Sequence, residues 1–254
     1  MSLHTRYRPS TFEEVLGHTK LVKSLKKVVT DRRAHAFVFT GPAGTGKTTL
    51  ARILANQFAG GQATQANIHE IDGASYSGKD DIRNVVNKAL FKAIGGTPTK
   101  SVIIDECHKL SSAAWDVLLK PIEEPPQHVF WFLCTTEVSK IPKTIMTRCL
   151  RYDLKPVSEE DIFTLLDKVA TAEKLNVKDE VLEAITEGAQ GSPRQALVYL
   201  EACVYAETAA DARNIMRSAG QSKEVIDLCR FLLKPQKSWP EDMSKWDSRA
   251  RETP

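Results

Sequence analysis

The segment that most limits how this chain can fold is a glycine-rich loop between an apolar run and a helical pattern. Residues 41–48 read Gly-Pro-Ala-Gly-Thr-Gly-Lys-Thr and match the pattern G-x-x-x-x-G-K-[ST]. An apolar run at residues 37–40 precedes the loop, and a predicted helix follows from Thr48. In such a strand-loop-helix unit, glycines let successive amide groups point at phosphate oxygens, and the helix N-terminus adds its positive dipole. The context therefore predicts a nucleotide phosphate-binding loop rather than an unliganded glycine turn.

The side chains of this loop have different predicted roles. The amine of Lys47 would reach the outer phosphates of ATP, and the hydroxyl of Thr48 would bind Mg²⁺. The predicted ATP-binding residues of the loop are Gly41, Pro42, Ala43, Gly44, Thr45, Gly46, Lys47, Thr48 and Thr49.

The rest of the first half alternates apolar runs with helical or loop segments. The runs cover residues 37–40, 68–71, 101–104, 129–135 and 150–154. Strands that alternate with helices predict a parallel sheet with helices on both faces, so we expect a five-stranded α/β domain over residues 1–156. Between the second and third runs, a helix is predicted from a stripe made of Ile82, Val85, Val86, Ala89, Leu90 and Ala93.

The second half has a different pattern. From residue 157 the strand signal disappears, and helical stretches are predicted at residues 158–173, 178–190 and 193–206. We therefore expect a small helical domain over residues 157–220. The remaining residues, 221–254, are predicted to hold one further helix, at 222–233, and a polar tail.

Composition excludes several classes of protein but selects none. The chain has 35 Lys and Arg against 32 Asp and Glu, a formal net charge of +3, so its charge alone does not indicate nucleic-acid binding. The five cysteines form no C-x-x-C pair, which argues against a redox dithiol or a zinc knuckle. The sequence has no apolar run of membrane-spanning length and no secretory signal at its start, so we expect a cytoplasmic protein without membrane contact.

A pair of carboxylates follows the apolar run at residues 101–104. Asp105 and Glu106 would lie at the carboxyl end of a parallel strand, the edge where such sheets bind their ligands. Asp105 is suited to holding Mg²⁺ together with Thr48, and Glu106 can polarise an attacking water. Together with the phosphate loop, the pair predicts ATP hydrolysis rather than ATP binding alone.

Seven sequence blocks, taken in order, resemble one family. They include Asp105-Glu106, a Thr-Arg-Cys block at residues 147–149 and a Gly-Ser-Pro-Arg block at 191–194. Over about residues 7–220 the chain resembles the AAA+ ATPase subunits of DNA sliding-clamp loaders, most closely the bacterial γ/τ type. The blocks are residues 7–12 with 15–17, 41–48, 105–110, 118–120 with 123–126, 135–137, 144–149 and 191–197.

The resemblance implies further site residues. Tyr7, Arg8, Pro9, Val15 and Leu16 would surround adenine. Thr136 would sense the γ-phosphate, and Arg194 would report the nucleotide from a helical lid domain at residues 157–220. Arg148 would act in trans, in the ATP site of a neighbouring subunit. The implied catalytic set is therefore Lys47, Glu106, Thr136, Arg148 and Arg194.

The chain departs from the family pattern at several places. The γ/τ subunits carry a four-cysteine zinc module after the phosphate-loop helix, whereas residues 58–67 contain no cysteine, so no zinc is expected. His18 stands where the family usually has Gln, and Thr147 replaces Ser. The family's third, collar domain is represented here by at most one predicted helix, which leaves open a fragment or a reduced, phage-like form.

The resemblance also implies surfaces for DNA and for a ring-shaped clamp. Clamp loaders hold the phosphate backbone of primer-template DNA, and the implied contacts are Arg83 and Lys120, with Lys79 and Lys109 as weaker candidates. Leu90 and Phe91 are the candidate clamp contact, although Leu90 also fits the buried stripe of its helix.

The predicted function is that of an ATPase subunit in an oligomeric clamp loader, presumed by resemblance to be a pentamer. ATP binding would open the clamp and grip DNA, and DNA-stimulated hydrolysis would release both. Two alternatives stay open at this stage: another oligomeric AAA+ DNA motor of the branch-migration type, and a structural clamp-loader subunit with little turnover of its own.

Overall fold

A computed structural model describes residues 1–61, 67–91 and 99–218 of the chain. The helix and tail predicted after residue 220 lie outside these residues. The described strands are β1 (Ala36–Thr40), β2 (Ile68–Asp72), β3 (Lys100–Asp105), β4 (Val129–Thr135) and β5 (Leu150–Asp153). The α-helices are α1 (Leu3–Arg6), α2 (Thr19–Asp31), α3 (Lys47–Phe58), α4 (Lys79–Leu90), α5 (Ser112–Glu123), α6 (Lys143–Met146), α7 (Glu159–Ala172), α8 (Asp179–Gly188) and α9 (Pro193–Ala202).

The five strands form one parallel sheet in the order β2-β3-β4-β1-β5. In register, Val38 lies opposite Leu133 and Ile103 lies opposite Phe132. All residues of β1 and β4 are buried, because helices cover both faces of the sheet and leave no solvent-facing side on these strands. The predicted five-stranded α/β fold is confirmed.

Two apolar clusters lie on opposite faces of the sheet because successive strand residues point to opposite sides. Phe37 and Phe39 of β1 pack with α2 and α3, and the Phe58 ring stacks on Phe130 at a centroid distance of 4.0 Å. Val38 faces the other cluster, with α4 and α5. This two-sided packing anchors α3, whose first turn carries the phosphate-loop lysine and threonine.

A third cluster forms the predicted helical domain from α7, α8 and α9. Residues 209–218 are also helical, and Ala212 and Met216 from this segment are buried in the same cluster. The sequence analysis missed this helix. Thr208 and Asp211 exchange side-chain to backbone hydrogen bonds at its start, a capping pattern that could have indicated it.

The N-terminal arm packs on the helical domain. Leu3 of α1 is buried in the cluster formed by α7, α8 and α9. Glu173, just after α7, accepts hydrogen bonds from the Tyr7 hydroxyl at 2.5 Å and from the Arg6 guanidinium at 2.6 Å. The first residues of the chain therefore connect the predicted nucleotide site with the helical domain.

Within residues 1–61, 67–91 and 99–218, none of the helices combines the length and the apolar character that crossing a bilayer requires.

Candidate nucleotide site

The phosphate loop is wedged between the sheet and the helical domain. Gly41 has a φ of 141°, and a Cβ there would stand 2.3 Å from the backbone oxygen of Leu154. Gly44 has a φ of 75°, and a Cβ there would stand 2.1 Å from Ser192 Oγ, at the N-terminus of α9. Glycine is required at both positions by the close approach and by the positive φ. The loop thus approaches the helical domain at Ser192, two residues before Arg194.

A cavity of about 530 Å³ opens beside the loop, which is within the range of small-molecule sites. Its wall combines the N-terminal arm, the loop, the start of α3 and the helices α7 and α9. The sequence-predicted residues that line it are Tyr7, Arg8, Pro9, Val15, Leu16, Ala43, Gly44, Thr45, Gly46, Lys47, Thr48, Thr49, Asp105, Glu106 and Arg194. Gly41 and Pro42 are not in the cavity wall, and they contribute through their carbonyl groups.

Lys47 lies at the base of the cavity, where its side chain is held by the loop itself. Its Nζ donates to the carbonyl oxygens of Gly41 at 2.9 Å and Pro42 at 2.7 Å, and the residue is only 6% exposed. Burial lowers the pKa of Lys47, and the nearby carboxylates of Glu106 and Asp105 act in the opposite direction. A buried amine with carboxylates nearby suits binding to an anionic group.

The predicted magnesium ligands are in contact. Thr48 Oγ1 donates to Asp105 Oδ2 at 2.8 Å, which joins the start of α3 to the end of β3. Mg²⁺ is bound in proteins through few protein oxygens, with the rest of its shell from water and phosphates. A hydroxyl beside a carboxylate at the phosphate loop fits that ion. Among the described residues, no group of three or more His, Cys, Asp or Glu side chains is arranged to hold a metal by itself.

The predicted water-activating carboxylate and the predicted γ-phosphate sensor also come together. Glu106 follows β3 and Thr136 follows β4, and Thr136 Oγ1 donates to Glu106 Oε2 at 3.4 Å. β3 and β4 are neighbours in the sheet, so their carboxyl ends bring the two side chains to one edge. The ring of His108 contacts the same oxygen at 3.3 Å, a neighbour that the sequence analysis missed.

Three of the four arginines that line the cavity, Arg8, Arg52 and Arg194, lie close enough to influence one another; the fourth, Arg6, pairs with Glu173. Burial is the main cause of a lowered pKa of Arg8, and the positive charges of Arg52 and Arg194 add to it. Arg52 also pairs with Glu70 through two hydrogen bonds of 2.6 Å. Such a concentration of guanidinium groups favours a polyanionic ligand.

The sequence analysis missed Arg52 and the apolar part of the cavity wall. Arg52 lies four residues after Thr48, on the same face of α3, so helical spacing could have found it. Leu165 and Val169 of α7 and Leu197 of α9 close the cavity from the helical domain. Their contribution depends on how that domain folds back over the sheet, which no local sequence pattern encodes.

Arg148 is not in the wall of the cavity described here. Its Nη2 pairs with Glu123 Oε1 at 2.9 Å, and its Nη1 donates to the Thr144 carbonyl at 2.6 Å. The Arg148 side chain is 32% exposed. The fold therefore leaves this arginine on the surface and does not bring it to the chain's own phosphate loop.

The predicted DNA contacts lie at scattered surface positions. Lys79 and Arg83 are on α4, Lys120 is on α5, and α4 packs against α5. Arg83 is exposed and pairs with Asp80 at 3.3 Å, a contact typical of ordinary surface charge. Lys109 is near Arg52 and Glu70 at the edge of the nucleotide site.

The candidate clamp contact requires one correction. Leu90 was expected to fit the buried stripe of α4, but it is 49% exposed, whereas Ile82, Val85, Val86 and Ala89 are buried. Leu90 is the last residue of the helix, and within the described residues no element covers it. Phe91 is 70% exposed. The two side chains thus form an exposed apolar pair at the end of α4.

No zinc module was expected at residues 58–67. Half of that segment, residues 62–66, lies outside the described residues. His18, the other departure, has a φ of 51° at the N-terminus of α2, and its pKa is lowered mainly by burial.

Comparison with known proteins identifies the family. A family model described as DNA polymerase III, delta subunit, matches residues 17–158. The chain is 37% identical over 222 residues to the DNA polymerase III subunit tau of Bacillus subtilis, covering 80% of this chain and 39% of that protein. It is 34% identical over 257 residues to the DNA polymerase III subunit gamma of Buchnera aphidicola subsp. Schizaphis graminum, covering 91% of this chain and 69% of that protein.

Solved structures support the fold. The Thermotoga maritima RuvB Holliday junction branch migration motor superposes with a TM-score of 0.66 at 20% identity, over 84% of this chain and 72% of that chain. At this identity the similarity concerns the fold alone. The sequence relatives are more specific, and the matched family model spans more than half of the chain. With its phosphate loop, paired carboxylates and parallel sheet, the chain therefore belongs to the AAA+ family of DNA polymerase III clamp-loader subunits.

Proposed function

We propose that this chain is an ATP-hydrolysing subunit of a sliding-clamp loader in DNA replication. The observation that carries the proposal is the convergence of Lys47, Thr48, Asp105 and Glu106 beside one cavity. Three arginines add positive charge to the same cavity, which matches the polyphosphate of ATP. A replicative role also agrees with the cytoplasmic location expected from the sequence.

In the proposed mechanism, the backbone amides of the loop and the Lys47 amine bind the β- and γ-phosphates. Thr48 and Asp105 hold Mg²⁺, which supplies positive charge to the phosphate oxygens when it is bound. Glu106 accepts a proton from the attacking water, and Thr136 orients the γ-phosphate. The adenine would lie between two parts of the N-terminal arm, Tyr7, Arg8 and Pro9 on one side and Val15 and Leu16 on the other. All five residues line the cavity.

Arg148 would complete the site of a neighbouring subunit. It is exposed on the surface and absent from the wall of its own cavity, as an arginine that acts in trans must be. Such arginines stabilise transition-state charge in phosphoryl transfer. Arg194 would couple the nucleotide to the lid domain, because it lines the cavity from α9, next to the Gly44–Ser192 contact.

The proposed partners follow from the family. Other clamp-loader subunits would form a pentamer, and a ring-shaped clamp and primer-template DNA would bind to it. Arg83, Lys120, Lys79 and Lys109 are the proposed DNA contacts, and Leu90 with Phe91 is the proposed clamp contact. The chain spans 39% of the tau subunit of Bacillus subtilis, so these partners are proposed for the chain on family grounds.

The two alternatives are less well supported. The similarity to a branch-migration motor is one of fold at 20% identity, whereas the tau and gamma relatives are 37% and 34% identical. A structural subunit without turnover has no need of an intact phosphate loop with Asp105 and Glu106 beside it, and all of these residues are present here.

The test is the ATPase rate of the purified chain at several concentrations, with and without primed DNA and a sliding clamp. We expect DNA and clamp to stimulate the rate. Arg148→Ala should remove the stimulation, since an arginine supplied in trans contributes roughly 10³-fold or more. Arg213→Ala is the matched control, because Arg213 is an exposed arginine paired with Glu187 in the helical domain. A rate that is independent of clamp, DNA and Arg148 would contradict the proposal.

A further inference from the structure

We propose that His108 is a positioning residue that holds the carboxylate of Glu106 in place for water activation. The inference rests on the proposed ATPase function and adds a residue to it. His108 has no assigned role in the sequence analysis beyond its membership of a sequence block. The structure places its ring between two carboxylates at the edge of the nucleotide site.

The ring of His108 is almost fully enclosed, with 5% of the side chain exposed. It lies on a short 3-10 helix, Cys107–Lys109, that directly follows Glu106. Nδ1 is 3.3 Å from Glu106 Oε2 and 3.1 Å from the Thr135 hydroxyl. Nε2 is 3.2 Å from Glu137 Oε1. Both nitrogens of one rigid ring therefore have polar neighbours.

The far side of the ring is itself anchored. The backbone amide of Glu137 donates to the Thr135 hydroxyl at 2.9 Å, and Glu137 Oε2 pairs with Lys140 Nζ at 2.9 Å. Because Glu137 is held by these two contacts, it fixes the Nε2 end of the ring. A ring fixed at one end presents its other nitrogen to Glu106 in a defined position.

Glu106 needs such support because its side chain is partly open to solvent. It has a φ of 46°, in the left-handed region that side-chain-bearing residues seldom adopt, and its side chain is 32% exposed. The carboxylate accepts hydrogen bonds at one oxygen, Oε2, from Thr136 and faces His108 there. Within the described part of the chain, Oε1 has no hydrogen bond or ion pair, which leaves it able to face a water molecule.

The two neighbours of Oε2 are not equivalent. Thr136 has a single hydroxyl proton, so when it donates to a γ-phosphate oxygen it no longer donates to Glu106. His108 is enclosed beneath the site, and the other neighbour of its Nδ1, the Thr135 hydroxyl at 3.1 Å, takes no part in the proposed mechanism. His108 would therefore keep Glu106 in position at the step where Thr136 turns to the phosphate.

A pair of amide substitutions tests this role. Asparagine places its amide nitrogen about where Nδ1 lies, and glutamine places its amide nitrogen about where Nε2 lies. We expect His108→Asn to retain most of the hydrolysis rate and His108→Gln to lose roughly tenfold or more, since a misplaced catalytic group costs up to about 10²-fold. The ATP dissociation constant should stay within about twofold of wild type in both variants, because His108 does not line the cavity.

The decisive measurement repeats His108→Gln in a Glu106→Gln background, using single-turnover rates and melting temperatures. A residue that acts through Glu106 costs little once Glu106 is gone, whereas a merely structural residue lowers the rate by the same factor in both backgrounds. Equal factors, or a wild-type rate in His108→Gln, would overturn the inference. If Glu106→Gln alone hydrolyses ATP at the wild-type rate, the role of Glu106 in the proposed function fails instead.

Discussion

The two halves of the proposed catalytic machinery differ in how the fold holds them. Lys47 is 6% exposed and is bonded to carbonyls of its own loop, and Thr48 contacts Asp105 directly. Arg148 is 32% exposed, and its carboxylate partner Glu123 is 53% exposed. A surface ion pair of this kind contributes only about 0–1 kcal/mol. The inner half, made of Lys47, Thr48 and Asp105, is thus held in place by the chain itself. The outer half is Arg148, which can leave its partner Glu123 at little cost.

The difference indicates which step of the proposed reaction depends on the assembly of several subunits. Every proposed contact to the nucleotide base, phosphates and metal lies in one chain, so binding needs no second subunit. Arg148, which does not line that cavity, is the residue proposed to act on the transition state in a neighbouring site. Nucleotide binding should therefore be a property of the single chain, and rapid hydrolysis a property of the assembly.

The largest expected effect tests the inner half. Lys47→Ala should weaken ATP binding at least about tenfold to a hundredfold, because it removes charge-assisted hydrogen bonds in a buried site. Isothermal titration calorimetry measures the affinity. Lys23→Ala, on the exposed face of α2, is the control and should leave it unchanged. The melting temperature of both variants should be recorded, since Lys47 also bonds two carbonyls in the structure. Unchanged ATP affinity in Lys47→Ala would contradict the proposal that the inner half binds the nucleotide.

A smaller effect tests the hydrogen bonds that join the N-terminal arm to the helical lid domain through Glu173. The hydrogen bond from Tyr7, and then that from Arg6, lower the pKa of Glu173 below its ordinary value of 4.5. A carboxyl with a depressed pKa in the folded chain contributes stability that is present above about pH 4.5 and lost as the pH falls through the depressed value. Glu173→Gln should weaken ATP binding by about twofold to fivefold at pH 7, because Tyr7 lines the cavity.

The pH dependence provides the check on this tie. The difference in melting temperature between wild type and Glu173→Gln should be constant above pH 5 and should shrink below about pH 4.5. Glu207→Gln is a control in the same domain, because Glu207 is exposed and is not part of the contact between the arm and the helical domain. A difference that grows as the pH falls would contradict the assigned hydrogen bonds.

The smallest expected effect tests the ion pair between Arg148 and Glu123 in the outer half. Glu123→Gln removes the charged partner of Arg148 and should shift the melting temperature by less than about 4 °C. ATP affinity of the single chain should not change, because neither residue lines the cavity. A larger loss of stability, measured by thermal denaturation, would show that the pair is a structural element and that Arg148 is not free to reach a neighbouring subunit.

Features that depend on neighbours in sequence were predicted well. Strands β1, β3 and β4 follow from apolar runs that are buried on both faces, and β2 and β5 complete the sheet as more exposed outer strands. The sheet edge that collects Asp105, Glu106 and Thr136 follows from parallel pairing. The loop at residues 41–48 was identified because glycine, lysine and threonine each have a chemical reason to be there.

Features that depend on packing between distant segments were not predicted well from the sequence. Helical periodicity assigned Leu90 to the buried stripe of α4, but it is 49% exposed at the end of the helix, where none of the described segments covers it. The helix at residues 209–218 and the docking of Leu3 on the lid also escaped prediction. Arg52 and His108 gained their importance from Glu70, Glu106 and Glu137, which are brought near only by the folded sheet.

By itself, the sequence determined the α/β fold, the phosphate loop and the identity of the groups that would bind and hydrolyse ATP. Periodicity and residue chemistry act over a few neighbouring residues, so they can be read without coordinates. Only the tertiary structure decided that Lys47 is buried beside Asp105 and Glu106, that the arm joins the lid through Glu173, and that Arg148 faces outward. These outcomes depend on which distant surfaces pack together, and that is a property of the whole folded chain.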